Sequence, residues 1–153
     1  MTNRHLIQSG LIAVLAAVAA SGWAGRASGQ QSRQLVPRAV LKLIIDHPAL
    51  AGYLHPEVAG RVPLVISDHL LAPGVTPSKF GQPVRILGDR EVGSQPHVRF
   101  QSFEVRGARA KTVVEYKVEG VEAVFSLEST ASGWWKVVDA KVAEHSLTGR
   151  GDR

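Results

Sequence analysis

The sequence predicts one small exported α+β domain, an N-terminal helix packed on a bent antiparallel sheet. Three observations carry this. The first 29 residues look like an export signal. An apolar stripe at helical spacing follows, from Val36 to Ile45. Then come four runs of alternating apolar and polar residues, separated by tight-turn signals, which form a four-strand C-terminal meander.

Residues 1–29 begin with Arg4, continue through an uncharged apolar stretch from Leu6 to Ala20, and end in small residues. That order is the order of a secretory signal peptide. The stretch is shorter than the ~20 residues a spanning helix needs, and small residues follow it where a stop-transfer flank would be basic. Cleavage is expected between Ala24 and Gln30, leaving a single domain over 30–146 and a loose tail over 147–153. The expected location is the bacterial periplasm or the outside of the cell, with no stable membrane span after cleavage. A chain of roughly 120 residues can bury one core. With no cysteine, packing and hydrogen bonds must hold it. The net charge of +5 is mild and dispersed. No basic stripe interleaves with aromatics, so nucleic acid is not an expected partner. Nothing in the sequence calls for a cofactor.

Pro37 suits the first turn of a helix, where its missing N–H costs nothing. Val36, Val40, Leu41, Ile44 and Ile45 share one face, so a helix is expected over 37–47, and Pro48 either ends it or starts a second turn through Ala51. Val62 to Ser67 is a short apolar run, and Pro63 assigns it to a sheet edge or strand start. Residues 72–83, rich in Pro and Gly, read as a loop, and 83–87 as one more short strand.

The meander covers 97–106, 109–119, 121–130 and 134–144. Ala110, Thr112, Val114, Tyr116 and Val118 alternate with Lys111, Glu115, Lys117 and Glu119. A two-residue turn at Glu119-Gly120 would set Lys117 opposite Glu122 and Val114 opposite Phe125, pairing charges outside and apolar groups inside. A turn at Gly107-Ala108 sets Glu104 opposite Lys111 and Phe103 opposite Thr112. The apolar parity changes between Phe100 and Phe103, which calls for a bulge near Gln101–Ser102. The last hairpin admits two registers. A turn at Ser132-Gly133 pairs Phe125 with Ala140 and keeps Asp139 outside. A turn over 131–133 pairs Glu128 with Lys136 and brings Asp139 inside. Burial favours the first, because an unpaired buried carboxylate is expensive.

The closing segment Gly133-Trp134-Trp135-Lys136-Val137-Val138-Asp139-Ala140 resembles the last strand of cystatin-like α+β rolls, including the nuclear-transport-factor-2-like superfamily. Tyr53-Leu54-His55-Pro56-Glu57 is similar to a recurrent segment of those folds. The chain also resembles small secreted bacterial proteins of unassigned role. The resemblance implies a cone-shaped pocket between helix and sheet. Enzymes of that superfamily use a pocket carboxylate as base with Tyr or Asp donors. No catalytic motif matches here residue by residue, and one helix stands where the superfamily usually has three.

Tyr53, His55, Tyr116 and Asp139 are the candidate ligand-binding residues, suited to a small apolar ligand with a polar end. His47, His55 and His69 match no metal-ligand spacing, so no metal is assigned. Strand alternation turns one of Trp134 and Trp135 outward. The expected interface is the outer sheet face carrying Trp135 and Val137, facing a second copy or a protein partner. The expected function is an exported, non-catalytic binding or interaction module. The alternative is an isomerase- or dehydratase-type enzyme using a pocket carboxylate and a tyrosine.

Overall fold

The computed structural model describes residues 34–145; the expected signal peptide and the whole of the expected tail lie outside them. Val36 forms a parallel bridge with Leu71. Helix α1, Arg38–Asp46, follows and buries Val40, Leu41, Ile44 and Ile45, the stripe the sequence displays. His47 ends it and caps the next turn: its Nδ1 accepts from the Ala49 N–H at 3.2 Å. That starts α2, Pro48–Ala51.

Strand β1, Val65–Ser67, is buried at all three positions. A small hairpin, β2 (Ser78–Lys79) and β3 (Gln82–Pro83), interrupts the Pro/Gly-rich loop. Gly74 in that loop adopts φ +153°, and a Cβ there would sit 2.8 Å from the Arg38 Cγ. Only glycine lets the loop lie so close to α1. Strand β4 (Arg85–Leu87) and the short helix α3 (Asp89–Val92) lead to the meander. Its strands are β5 (Val98–Arg106), β6 (Arg109–Tyr116), β7 (Val121–Ser129) and β8 (Trp135–Glu144).

The main sheet has six strands in the order β4-β1-β5-β6-β7-β8. The meander is antiparallel, as its turn signals indicate. The sheet as a whole is not: β1 runs parallel to both β4 and β5. This corrects the all-antiparallel expectation; of the two places Pro63 allowed, the edge is excluded, because β1 lies between β4 and β5. Pro63 lies ahead of the strand, so it costs the ladder no donor. Parallel neighbours need crossovers, and the segments between β1 and β5 are those crossovers.

The β5–β6 register is as expected, with Glu104 opposite Lys111, Phe103 opposite Thr112 and a shift between Phe100 and Ser102. The Thr112 hydroxyl, fully buried, donates to the Ser102 carbonyl at 2.7 Å, inside the bulge. The β6–β7 register is corrected by two residues. Thr112 faces Phe125, Val114 faces Ala123, and Glu115 faces Glu122. The turn is longer than expected: a 3-10 turn over Lys117–Glu119 closes on Gly120 at φ +63°. A shift of two preserves which face is buried, so burial could not separate the two registers. The like charges at Glu115 and Glu122 are eased by Gln101, whose amide donates to Glu115 at 2.6 Å.

Strand β8 contains both registers considered for the last hairpin. Phe125 faces Ala140 and Ser126 faces Asp139; after a shift, Leu127 faces Val137 and Glu128 faces Lys136. The extra residue is Val138, 47 % exposed. The bulge lets the turn-proximal half follow one register and the distal half follow the other.

One core fills the space between α1 and the sheet. Leu41, Ile44, Phe100, Tyr116 and Phe125 are at most 1 % exposed. His47 meets the Phe125 ring edge-on at 5.3 Å between centroids.

Candidate functional site

The four candidate ligand residues do not converge on one cavity. Tyr53, just past α2, donates its hydroxyl to Glu144 Oε1 at 2.6 Å. This bond joins the helical segment to the far end of β8, and it holds the phenol above its ordinary pKa because the charged acceptor favours the protonated form. His55 sits at φ +44°, a corner that few residues adopt. Its Nδ1 lies 2.9 Å from Glu57. Glu57 is held below its usual pKa, first by its own backbone N–H and then by His55.

Tyr116 points inward, as its strand parity requires, and is 1 % exposed. Burial pushes its phenol upward. The Arg61 guanidinium lies 5.9 Å from the ring centroid and pairs with Glu119. Arg61 thereby clamps the 55–63 loop onto the β6–β7 turn. No sequence pattern announces this clamp, because its members are 55 or more positions apart. Asp139 is on the outer face, opposite Ser126, with its side chain 54 % exposed. It is not a pocket residue; the bulge keeps it outside.

The expected orientation of the tryptophans is reversed. Trp135 and Val137 pack against the core, while Trp134 is 68 % exposed and Val138 is the outward valine. The parity argument was sound, but the bulge shifted its phase by one residue. Any apolar contact at this end of the sheet would therefore be made by Trp134 and Val138.

Two further features were not legible in the sequence. The parallel pairing of Ser67 with Leu87 brings the chain ends after β1 and β4 together. The buried Ser67 hydroxyl donates to Asp89 at 2.5 Å, and Arg99 from β5 reaches Asp89 at 3.4 Å. Ser67 holds the Asp89 carboxyl below its usual value, with Arg99 and the nearby His69 adding to this. His69 Nδ1 lies 3.5 Å from Arg99, not against Ser67. The cluster ties β1, α3 and β5 together. The second feature is an open depression of about 520 Å³ beside the β5–β6 turn, edged by Glu104, Arg106, Arg109, Lys111, Glu128 and Val138. Its charges largely answer one another, as in Arg109–Glu128 and Arg106–Glu104, both at 3.5 Å.

Among the described residues, no group of three or more His, Asp or Glu side chains is placed to hold a metal ion. No helix among them is long and apolar enough to cross a membrane. Comparison with protein families, with curated proteins and with solved structures finds no match.

Proposed function

We propose that this chain is an exported, non-catalytic interaction module on a roll of the cystatin-like kind, working in the periplasm or outside the cell. The observation that carries this is the filled space between α1 and the sheet. An enzyme using a pocket carboxylate and a tyrosine needs a cavity there, with both groups facing it. Tyr116, Phe100 and Phe125 occupy that volume with their own side chains. What the sheet offers outward is Trp134, exposed just ahead of β8, and Val138, exposed at the edge of the open depression. An aromatic with one free face is a common anchor for a partner.

An NMR titration of the exported chain with small apolar and aromatic fragments tests this. The expected shifts cluster at Trp134, Val138 and the rim of the depression. Shifts centred on Val114, Tyr116 and Phe125 would show an opening core and return the enzyme alternative. Export is tested by N-terminal sequencing of the secreted protein, expected to begin between Gly25 and Gln31. A mature chain that begins at Met1 refutes cleavage.

A further inference from the structure

We propose that the end of the sheet bearing Trp134 is a docking surface for a membrane that carries anionic lipid. This rests on the interaction-module reading and names the partner as a layer of acidic headgroups.

The registers put Arg106, Arg109, Glu128 and Lys136 in one row across β5, β6, β7 and β8. Residues paired across antiparallel strands share a face, and here it is the outer one. Lys111, opposite Glu104, belongs to the next outward row. Four cations therefore meet two carboxylates. Glu128 is shared between Arg109 at 3.5 Å and Lys136 at 3.9 Å, and Glu104 takes Arg106 at 3.5 Å. Lys111 forms no ion pair among the described residues. The Arg106 and Arg109 side chains are 83 % and 81 % exposed, and pairs so open to water hold weakly. The surplus positive charge stays available to an outside anion.

The turn beyond this row presents Trp134. Its N–H donates to the Thr130 hydroxyl at 3.1 Å, and its carbonyl accepts from the Thr130 N–H at 2.7 Å. The backbone is fixed while the ring stays exposed. The described chain enters at the same end: the Gln34 side-chain oxygen accepts from the Val105 N–H, and Leu35 beside it is exposed. Indole rings settle at the headgroup level of a bilayer, and neighbouring cations are drawn to its acidic phosphates. A small soluble anion would need donors converging in a closed site. This row is open and crosses three strand spacings, roughly 14 Å at ~4.8 Å each, which suits an extended layer of charge.

The opposite end of the sheet carries the other sign. Glu119, Glu122 and Glu144 surround the β6–β7 turn, with Lys117 and Arg61 beside them. Along β6, Arg109 and Glu115 are separated by roughly 20 Å at ~3.4 Å per residue. The Debye length in physiological salt is about 8 Å. The far carboxylates are therefore screened from a surface that touches the Trp134 end, and they disfavour the inverted orientation.

Co-sedimentation of the exported chain with vesicles is the test. Vesicles of phosphatidylglycerol and phosphatidylcholine in roughly equal parts should bind it and shift tryptophan emission to the blue. Pure phosphatidylcholine vesicles should not, and about 1 M salt should release it. Arg106→Glu combined with Arg109→Glu should weaken binding about tenfold or more, and Trp134→Ser should remove the blue shift, both with unchanged circular dichroism. Lys117→Glu reverses a charge at the opposite end and should leave binding unaltered. An equal loss there would show that net charge acts and not this row, and would overturn the proposal. So would salt-insensitive binding, or binding to the soluble anionic polysaccharide heparin without binding to the acidic vesicles. If the acidic vesicles fail yet apolar fragments still shift Trp134, the membrane partner alone falls. If both results are negative, the interaction-module reading falls with it.

Discussion

The segment before Val98 and the meander after it bury their apolar residues in one core, yet they are built by different rules. In the meander each strand pairs with its neighbour in sequence, through turns of a few residues. In the first segment β1 pairs with β4, twenty residues on, and with β5. Its stability therefore depends on contacts that close long loops, which cost more entropy before they return anything. The meander is the part that can form from local pairing, and the first half is the part that needs it.

The sharpest way to break this contrast is to cut into the shared core from the meander side. Phe125→Ala removes a fully buried ring that faces Thr112 and Ala140 and touches His47. Chemical denaturation should show a loss of ~3–5 kcal/mol, with both halves unfolding together. A loss below about 1 kcal/mol would mean that the core is divided. Next in size is Gly74→Val in the first half. It strains φ +153° and drives a side chain into Arg38. A loss of about 1–3 kcal/mol is expected, with hydrogen exchange speeding up around α1 while β6 and β7 stay protected. Equal loosening of the meander would refute the asymmetry.

Titration sharpens the comparison further. The folded-state pKa of Tyr116 is raised by burial, above the ordinary value of 10.0. The unfolded chain therefore releases that proton first, and the stability is present below about pH 10 and lost as pH rises through the folded value. Alkaline melting should be steeper for the wild type than for Tyr116→Phe. Asp89 in the first half has the opposite sign. Its lowered pKa gives stability above the unfolded carboxylate value, lost as pH falls through the folded one. Ser67→Ala should flatten the acid limb, and an unchanged limb would reject the Ser67–Asp89 bond as its cause. The smallest effect is expected on the surface. Trp134→Ser should change stability by less than about 0.5 kcal/mol, and a larger loss would place Trp134 in the core.

The same division explains what could be read in advance. The stripe from Val36 to Ile45 and the alternation in β6 declared α1 and the buried face, because helix and strand periods write themselves locally. Parity survived even where register did not. Lys117 and Glu122 argued for one pairing, but exposed pairs contribute only about 0.2–1 kcal/mol, less than a well-formed turn ending on Gly120 can override. The parallel partnership of β1 and β4 has no local signature, so the meeting of Ser67, Asp89 and Arg99 was invisible. The inward turn of Trp135 was hidden for a smaller reason: one surplus residue, Val138, in an otherwise regular alternation.

That surplus residue has a counterpart. The shift in β5 lies between Phe100 and Ser102 and the shift in β8 lies near Val138, while β6 and β7 between them pair without interruption. Extra residues concentrate bending where they occur. The sheet is thus hinged like a folded card: a straight central panel, with one crease in each flanking strand. Deleting Val138 would leave the pairing partners in place and flatten one crease. The flap formed by β8 would then swing away from α1, and the change would register as a loss of curvature.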